Sequence, residues 1–152
     1  MTSTQKADPH VPAGFGAGAA PDGDRRALRV AAALHVLLGL GFGVGSAPVL
    51  VYFARNGELP MSPFGWRWMA GPVEQLGPVP FMALGWTLVA VSVLDVLAGR
   101  WLWQGRRRGL QLGVATNACA FALGLGFALP ALIVGVPLRA VLAWAGRGAL
   151  DR

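Results

Sequence analysis

The chain has 152 residues, of which 55% are hydrophobic and 13% charged. Its mean hydropathy is +0.53, whereas an ordinary soluble domain is about one quarter charged. That balance excludes the usual water-soluble globule, and despite 22 Gly and 11 Pro the apolar content is too high for a disordered chain. Thirteen Lys and Arg against seven Asp and Glu give a net charge of +6, which in a soluble chain would point to nucleic acid. Here the basic residues flank apolar segments, so the expected partners are membrane lipids and no nucleic acid.

A single cysteine, Cys119, lies inside an apolar run and excludes an intrachain disulfide, a CxxC redox pair and a Cys-based zinc site. No metal or cofactor is expected. The preference for Arg over Lys, with abundant Ala and Gly, points to a GC-rich bacterial gene. The length leaves room for four bilayer crossings of about 20 residues each and little more.

Residues 1–26 carry Pro9, Pro12 and Pro21 with scattered polar residues and no apolar periodicity, and read as a disordered tail. His10 within it is not expected to hold a metal. The first apolar run, residues 30–53, would be roughly 36 Å long as a helix and can span. A cleaved signal peptide is the competing reading, because Arg25-Arg26 and Gly45-Ser46-Ala47 mimic its basic start and cleavage site. The run exceeds the roughly 7–15 residues of such a segment, and Pro48 follows the mimicked cut, so the run is read as a retained span.

Residues 54–79 form a connection punctuated by Pro60, Pro63, Pro72 and Pro78. Phe64, Trp66, Arg67, Trp68 and Glu74 give it the character of an interfacial anchor, and its 26 residues are long enough to cap the bundle or dock a partner. The second span is expected at 80–98. Residues 109–145 are apolar throughout and would measure about 55 Å as one helix, so they must fold back. Pro130 marks the division into spans at 109–129 and 130–145, with a short tail at 148–152. Pro137 and Arg139 make the last span the weakest, since a central Arg costs about 2.5–3.5 kcal/mol on insertion.

The expectation is therefore an all-α bundle of four transmembrane helices. With four spans, eleven Lys and Arg fall on one side and only Arg55 and Arg67 on the other. Cytoplasmic flanks collect such residues, which places both termini in the cytoplasm and the protein in the inner membrane of a bacterial cell.

Each span carries one polar residue on a stripe of small ones: His35 with Gly39 and Gly43; Asp95 with Thr87, Val91 and Gly99, and Ser92 nearby; Asn117 with Gly109, Gly113, Ala120 and Gly124; Arg139 with Gly135 and Ala143. Gly41 and Gly45 form a second small pair on the first span. Small faces let helix backbones approach in a membrane, so helix packing is expected at Gly39, Gly41, Gly43, Gly45, Gly113, Gly124 and Gly135. If those faces point inward, His35, Asp95, Asn117 and Arg139 meet about 7–14 Å from the arginine-rich edge. Two readings stand: a buried or snorkelling structural network, or an intramembrane site for a ligand, proton or substrate. No triad order, HExxH motif or phosphate-cradling loop accompanies them, so enzyme chemistry is not the leading reading.

The segments Pro63-Phe64-Gly65, Gly71-Pro72-Val73-Glu74, Ala98-Gly99-Arg100-Trp101-Leu102-Trp103 and Gly126-Phe127-Ala128-Leu129-Pro130 resemble recurrent segments of small uncharacterised four-span membrane proteins of high-GC bacteria. The resemblance covers about residues 27–147, and the layout is also similar to that of DoxX-like four-helix membrane proteins. It implies the fold and a membrane location, and no activity, cofactor or catalytic residue. The leading functional expectation is an interaction or accessory component, a homo-oligomer or a companion of another membrane protein, that associates through Gly-rich helix faces. The alternatives are a small-ligand or lipid-related binding protein or enzyme at the polar cluster, and an oligomeric transporter or channel.

Overall fold

The computed structural model describes residues 22–150. The tail expected over residues 1–26 lies outside them as far as position 21, as do residues 151 and 152. Four helices follow in chain order: α1 (Asp22–Asn56), α2 (Pro78–Trp103), α3 (Arg107–Gly126) and α4 (Pro130–Ala145). Short 3-10 turns at Pro72–Leu76 and Gly146–Ala149 complete the regular structure, and the described residues contain no strand beyond one isolated antiparallel bridge between Met61 and Arg67. The fold is the expected all-α four-helix bundle, and all four helices, the last extended to Ala149, are long and apolar enough to cross a membrane.

α1 and α2 overrun the expected spans at both ends, and α3 starts two residues before its expected span. α1 begins at Asp22, so positions 22–26 are helical and not part of a disordered tail. Asp22 and Asp24 lie in its first turn and Arg55 in its last, each opposite in charge to the helix-dipole end it occupies. The 35-residue helix continues through Pro48, a break in its hydrogen bonding that spanning helices tolerate. α2 starts on Pro78, where a missing N–H does no harm, and continues past Gly99 and Arg100 to Trp103. α3 stops at Gly126 and not at 129. Phe127, Ala128 and Leu129 form the reversal, in which the Leu129 N–H donates to the Gly124 carbonyl at 2.8 Å. Ala128 takes the left-handed backbone, φ +49°, that this sharp turn demands. α4 starts at Pro130 and runs intact through Pro137.

α1 packs on α2 and α4, and α3 packs on the same two helices, which closes a ring of four. Its interior has two apolar ends. At the end bearing the connection, the rings of Phe53 and Phe81 lie 4.7 Å apart and those of Phe81 and Phe127 meet edge-on at 5.4 Å, packed with Leu50, Leu88 and Leu132. At the other end Leu28, Ala32, Leu102 and Leu150 form a smaller cluster. The connection is pinned to the first end: a side chain on Gly71 would run into the Gly126 and Phe127 backbone, and Val73 lies against Gly126.

Candidate functional site: a buried polar cluster

Between the two apolar ends, each helix contributes one side chain to a buried polar cluster, while Ser46, Ser92 and Thr116 are buried on the same helices. His35 comes from α1, Asp95 from α2, Asn117 from α3 and Arg139 from α4, and Arg139 and His35 have no exposed surface. Arg139 is the hub. Its Nη1 lies 2.7 Å from Asp95 Oδ2, and its Nε–H donates to Asn117 Oδ1 at 2.6 Å. One guanidinium thus ties α4 to α2 and α3. Arg139 does not snorkel to the headgroups; an ion pair in the core holds it, so it drops out of the tally of flanking arginines. A paired carboxylate offsets much of the desolvation that an isolated guanidinium would suffer in an apolar interior.

His35 sits beside this pair. Its Nδ1 is 2.9 Å from the Ala31 carbonyl one turn back. A carbonyl only accepts, so Nδ1 carries the hydrogen, and in the neutral ring Nε2 is an acceptor. That Nε2 has no protein partner, and neither do Asp95 Oδ1 and Arg139 Nη2. His35 and Asn117 border a cavity of about 30 Å³ closed by Gly113, Ala140, Ala143 and Trp144. Such a space holds a water-sized molecule and nothing the size of a substrate.

Glycine builds this arrangement. A side chain on Gly39 would come within 2.7 Å of the Ser92 carbonyl and 3.2 Å of the Asp95 Cβ, and one on Gly99 within 2.8 Å of the Ala32 carbonyl. The α1 and α2 backbones can therefore approach until His35 and Asp95 share the interior. Gly113 leaves room for the His35 ring, and a Cβ there would sit 3.0 Å from Nε2. Gly43 meets Ser92, Gly124 meets Leu132 and Gly135 meets Leu38.

Two members of the expected packing set depart from it. Gly41 and Gly45 have nothing within 4 Å and lie exposed on α1, because the 3.6-residue turn rotates them away from the Gly39 and Gly43 face that α2 covers. Thr87, expected on the Asp95 stripe, is exposed and donates to the Ala83 carbonyl of its own helix at 2.8 Å. Cys119 is exposed on α3. Reading the sequence by polar stripes also undervalued Gly71 and Gly85. Gly71 lies in the loop, and Gly85 is met by Leu50, a contact within the apolar end that bears the connection and one that no polar spacing announces.

In the connection Arg67 and Glu74 form an ion pair, and Phe64, Trp66 and Trp68 are exposed. Trp66, Trp68 and Met69 face Phe127 and Leu129 across an apolar crevice of about 480 Å³.

Fold and site together define a class, a four-helix bundle of membrane-spanning dimensions closed by an internal Arg–Asp–Asn cluster. Comparison with protein-family models, curated proteins and solved structures finds no match to this chain.

Proposed function

We propose that the protein is a small multi-pass component of a bacterial inner membrane that works by association, pairing the exposed Gly41–Gly45 face of α1 with the same face of a second copy. The observation that carries this reading is the contrast along one helix: Gly39 and Gly43 are used against α2, whereas Gly41 and Gly45 meet nothing. Of the four helices α1 has the smallest buried share of its apolar window, 22% against 28–39% for the others. Around the free glycines, Leu37, Gly41, Gly45 and Val49 floor a groove of about 290 Å³ walled by Trp68 and Leu129, a shape that receives a helix ridge. A two-fold pairing of one face with itself is the simplest closed assembly.

Both termini are placed on the cytoplasmic side in this reading. Arg25, Arg26, Arg29, Arg100, Arg106, Arg107, Arg108 and Arg147 all lie toward one end of the bundle, and Arg55 and Arg67 toward the other. The polar cluster serves here as a lock on the bundle; a ligand or enzyme site at His35, Asp95, Asn117 and Arg139 draws less support from a cavity of about 30 Å³.

The test is cysteine crosslinking in native-composition bilayers, with Cys119→Ser as background and Val44→Cys as reporter. The expected result is a crosslinked dimer that Gly41→Leu/Gly45→Leu abolishes while the monomer keeps its fold. A chain that stays single at all lipid dilutions overturns self-association, and a crosslink only to a different membrane protein replaces the second copy with that partner.

A further inference from the structure

The arginine-rich end of the bundle holds a second cavity, separate from the α1 face. It has a volume of about 440 Å³ and lies where α3 begins and the C-terminal 3-10 turn ends, lined by Arg107, Leu110, Gln111, Arg147, Gly148 and Leu150. The two guanidiniums approach it from different elements. Arg147 is held over the Trp144 ring, 4.1 Å from its centroid, so its direction is set before any ligand arrives. Among the described residues neither arginine has an ion-pair partner, although Asp24 reaches Gly148 on the rim. Arg106 and Arg108, the chain neighbours of Arg107, are exposed. The adjoining outer surface is apolar, with Val114 on α3 and Val141 and Trp144 on α4 all more than half exposed. A cationic pocket thus sits directly against a surface for hydrocarbon.

We infer that this cavity is a binding site for one anionic phospholipid, whose phosphate is taken by Arg107 and Arg147 and whose acyl chains lie along Val114, Val141 and Trp144. Guanidinium groups match phosphate oxygens in geometry as well as charge, and basic pockets between spanning helices recognise anionic headgroups. A zwitterionic choline head would bring its cation beside two guanidiniums, which is why the headgroup must carry net negative charge. The inference does not depend on self-association, because the pocket and the Gly41–Gly45 face share no residue.

The test uses the full-length protein in neutral detergent, titrated with phosphatidylglycerol, with phosphatidylcholine or with inorganic phosphate, and counts retained lipid by native mass spectrometry. Arg107→Gln/Arg147→Gln changes two exposed side chains and is expected to fold as the parent does. It should lower phosphatidylglycerol retention by roughly tenfold or more, whereas Arg29→Gln/Arg100→Gln, at the same end but outside the pocket, should lower it by less than about twofold. Asp24→Asn should raise it. A photoreactive residue in place of Gln111, with both arginines intact, should label phosphatidylglycerol in preference to phosphatidylcholine. Equal losses in the two double variants would reduce the effect to diffuse attraction and overturn the site. Equal retention of the two lipids would overturn it as well, and displacement of the lipid by inorganic phosphate at equal concentration would make it a free-anion site.

Discussion

The two halves of the bundle interior solve the same packing problem with opposite chemistry. Toward the connection, Phe53, Phe81 and Phe127 interlock with aliphatic neighbours, and no polar side chain is needed to set their register. Toward the arginine-rich end, glycines draw the backbones together around Arg139, Asp95 and Asn117, which are joined by an ion pair and a hydrogen bond. Apolar packing tolerates exchange of one hydrocarbon shape for another, while a buried charge is stable only with its partner in place. The difference predicts where the fold is brittle.

The largest effect is expected from Arg139→Leu, which leaves Asp95 buried without its cation and should destabilise the bundle by about 3–5 kcal/mol, read by thermal or denaturant unfolding in bicelles. Phe127→Ala tests the other half and should cost about 3 kcal/mol by leaving a cavity beside Phe81. If it proved more damaging than Arg139→Leu, the ranking of the two halves would be reversed. Gly39→Val sharpens the comparison within α1. A Cβ 2.7 Å from the Ser92 carbonyl should push α1 from α2 at a cost of about 1–3 kcal/mol, whereas Gly41→Val, two residues on, should change monomer stability by less than about 0.5 kcal/mol. The smallest effect belongs to Arg67→Gln, because the half-exposed pair with Glu74 is worth at most about 1 kcal/mol and weakens further with salt.

Much of this contrast was legible in the sequence. Pro130 divides the last apolar stretch where the chain turns, and the four-residue spacing of His35 and Gly39 places both on the interior face of α1. The convergence of His35, Asp95, Asn117 and Arg139 followed from one polar residue per stripe at a common depth. What spacing alone leaves open is which of two small stripes on one helix a neighbour will cover. Gly39–Gly43 and Gly41–Gly45 are equivalent as patterns, and the positions of Ser92, Asp95 and Val96 across the interface separate them. The start of α1 was obscured because Pro21 and the polar residues around it resemble a linker, although Asp22 and Asp24 are favourable first-turn residues. The turn at Ala128 was hidden for a different reason, since a left-handed residue is read from glycine or asparagine and here it is alanine.

The claim on which the account rests is that Arg139 and Asp95 stabilise each other inside the bundle and act as its lock. A double-mutant cycle of unfolding free energies in bicelles tests it directly, with Asp95→Leu, Arg139→Leu and the two combined. The account predicts that each single change costs about 3–5 kcal/mol and that the combined variant recovers at least half of either loss, because no charge is then left alone in the core. Losses that simply add would show the two side chains to be energetically independent and would contradict it.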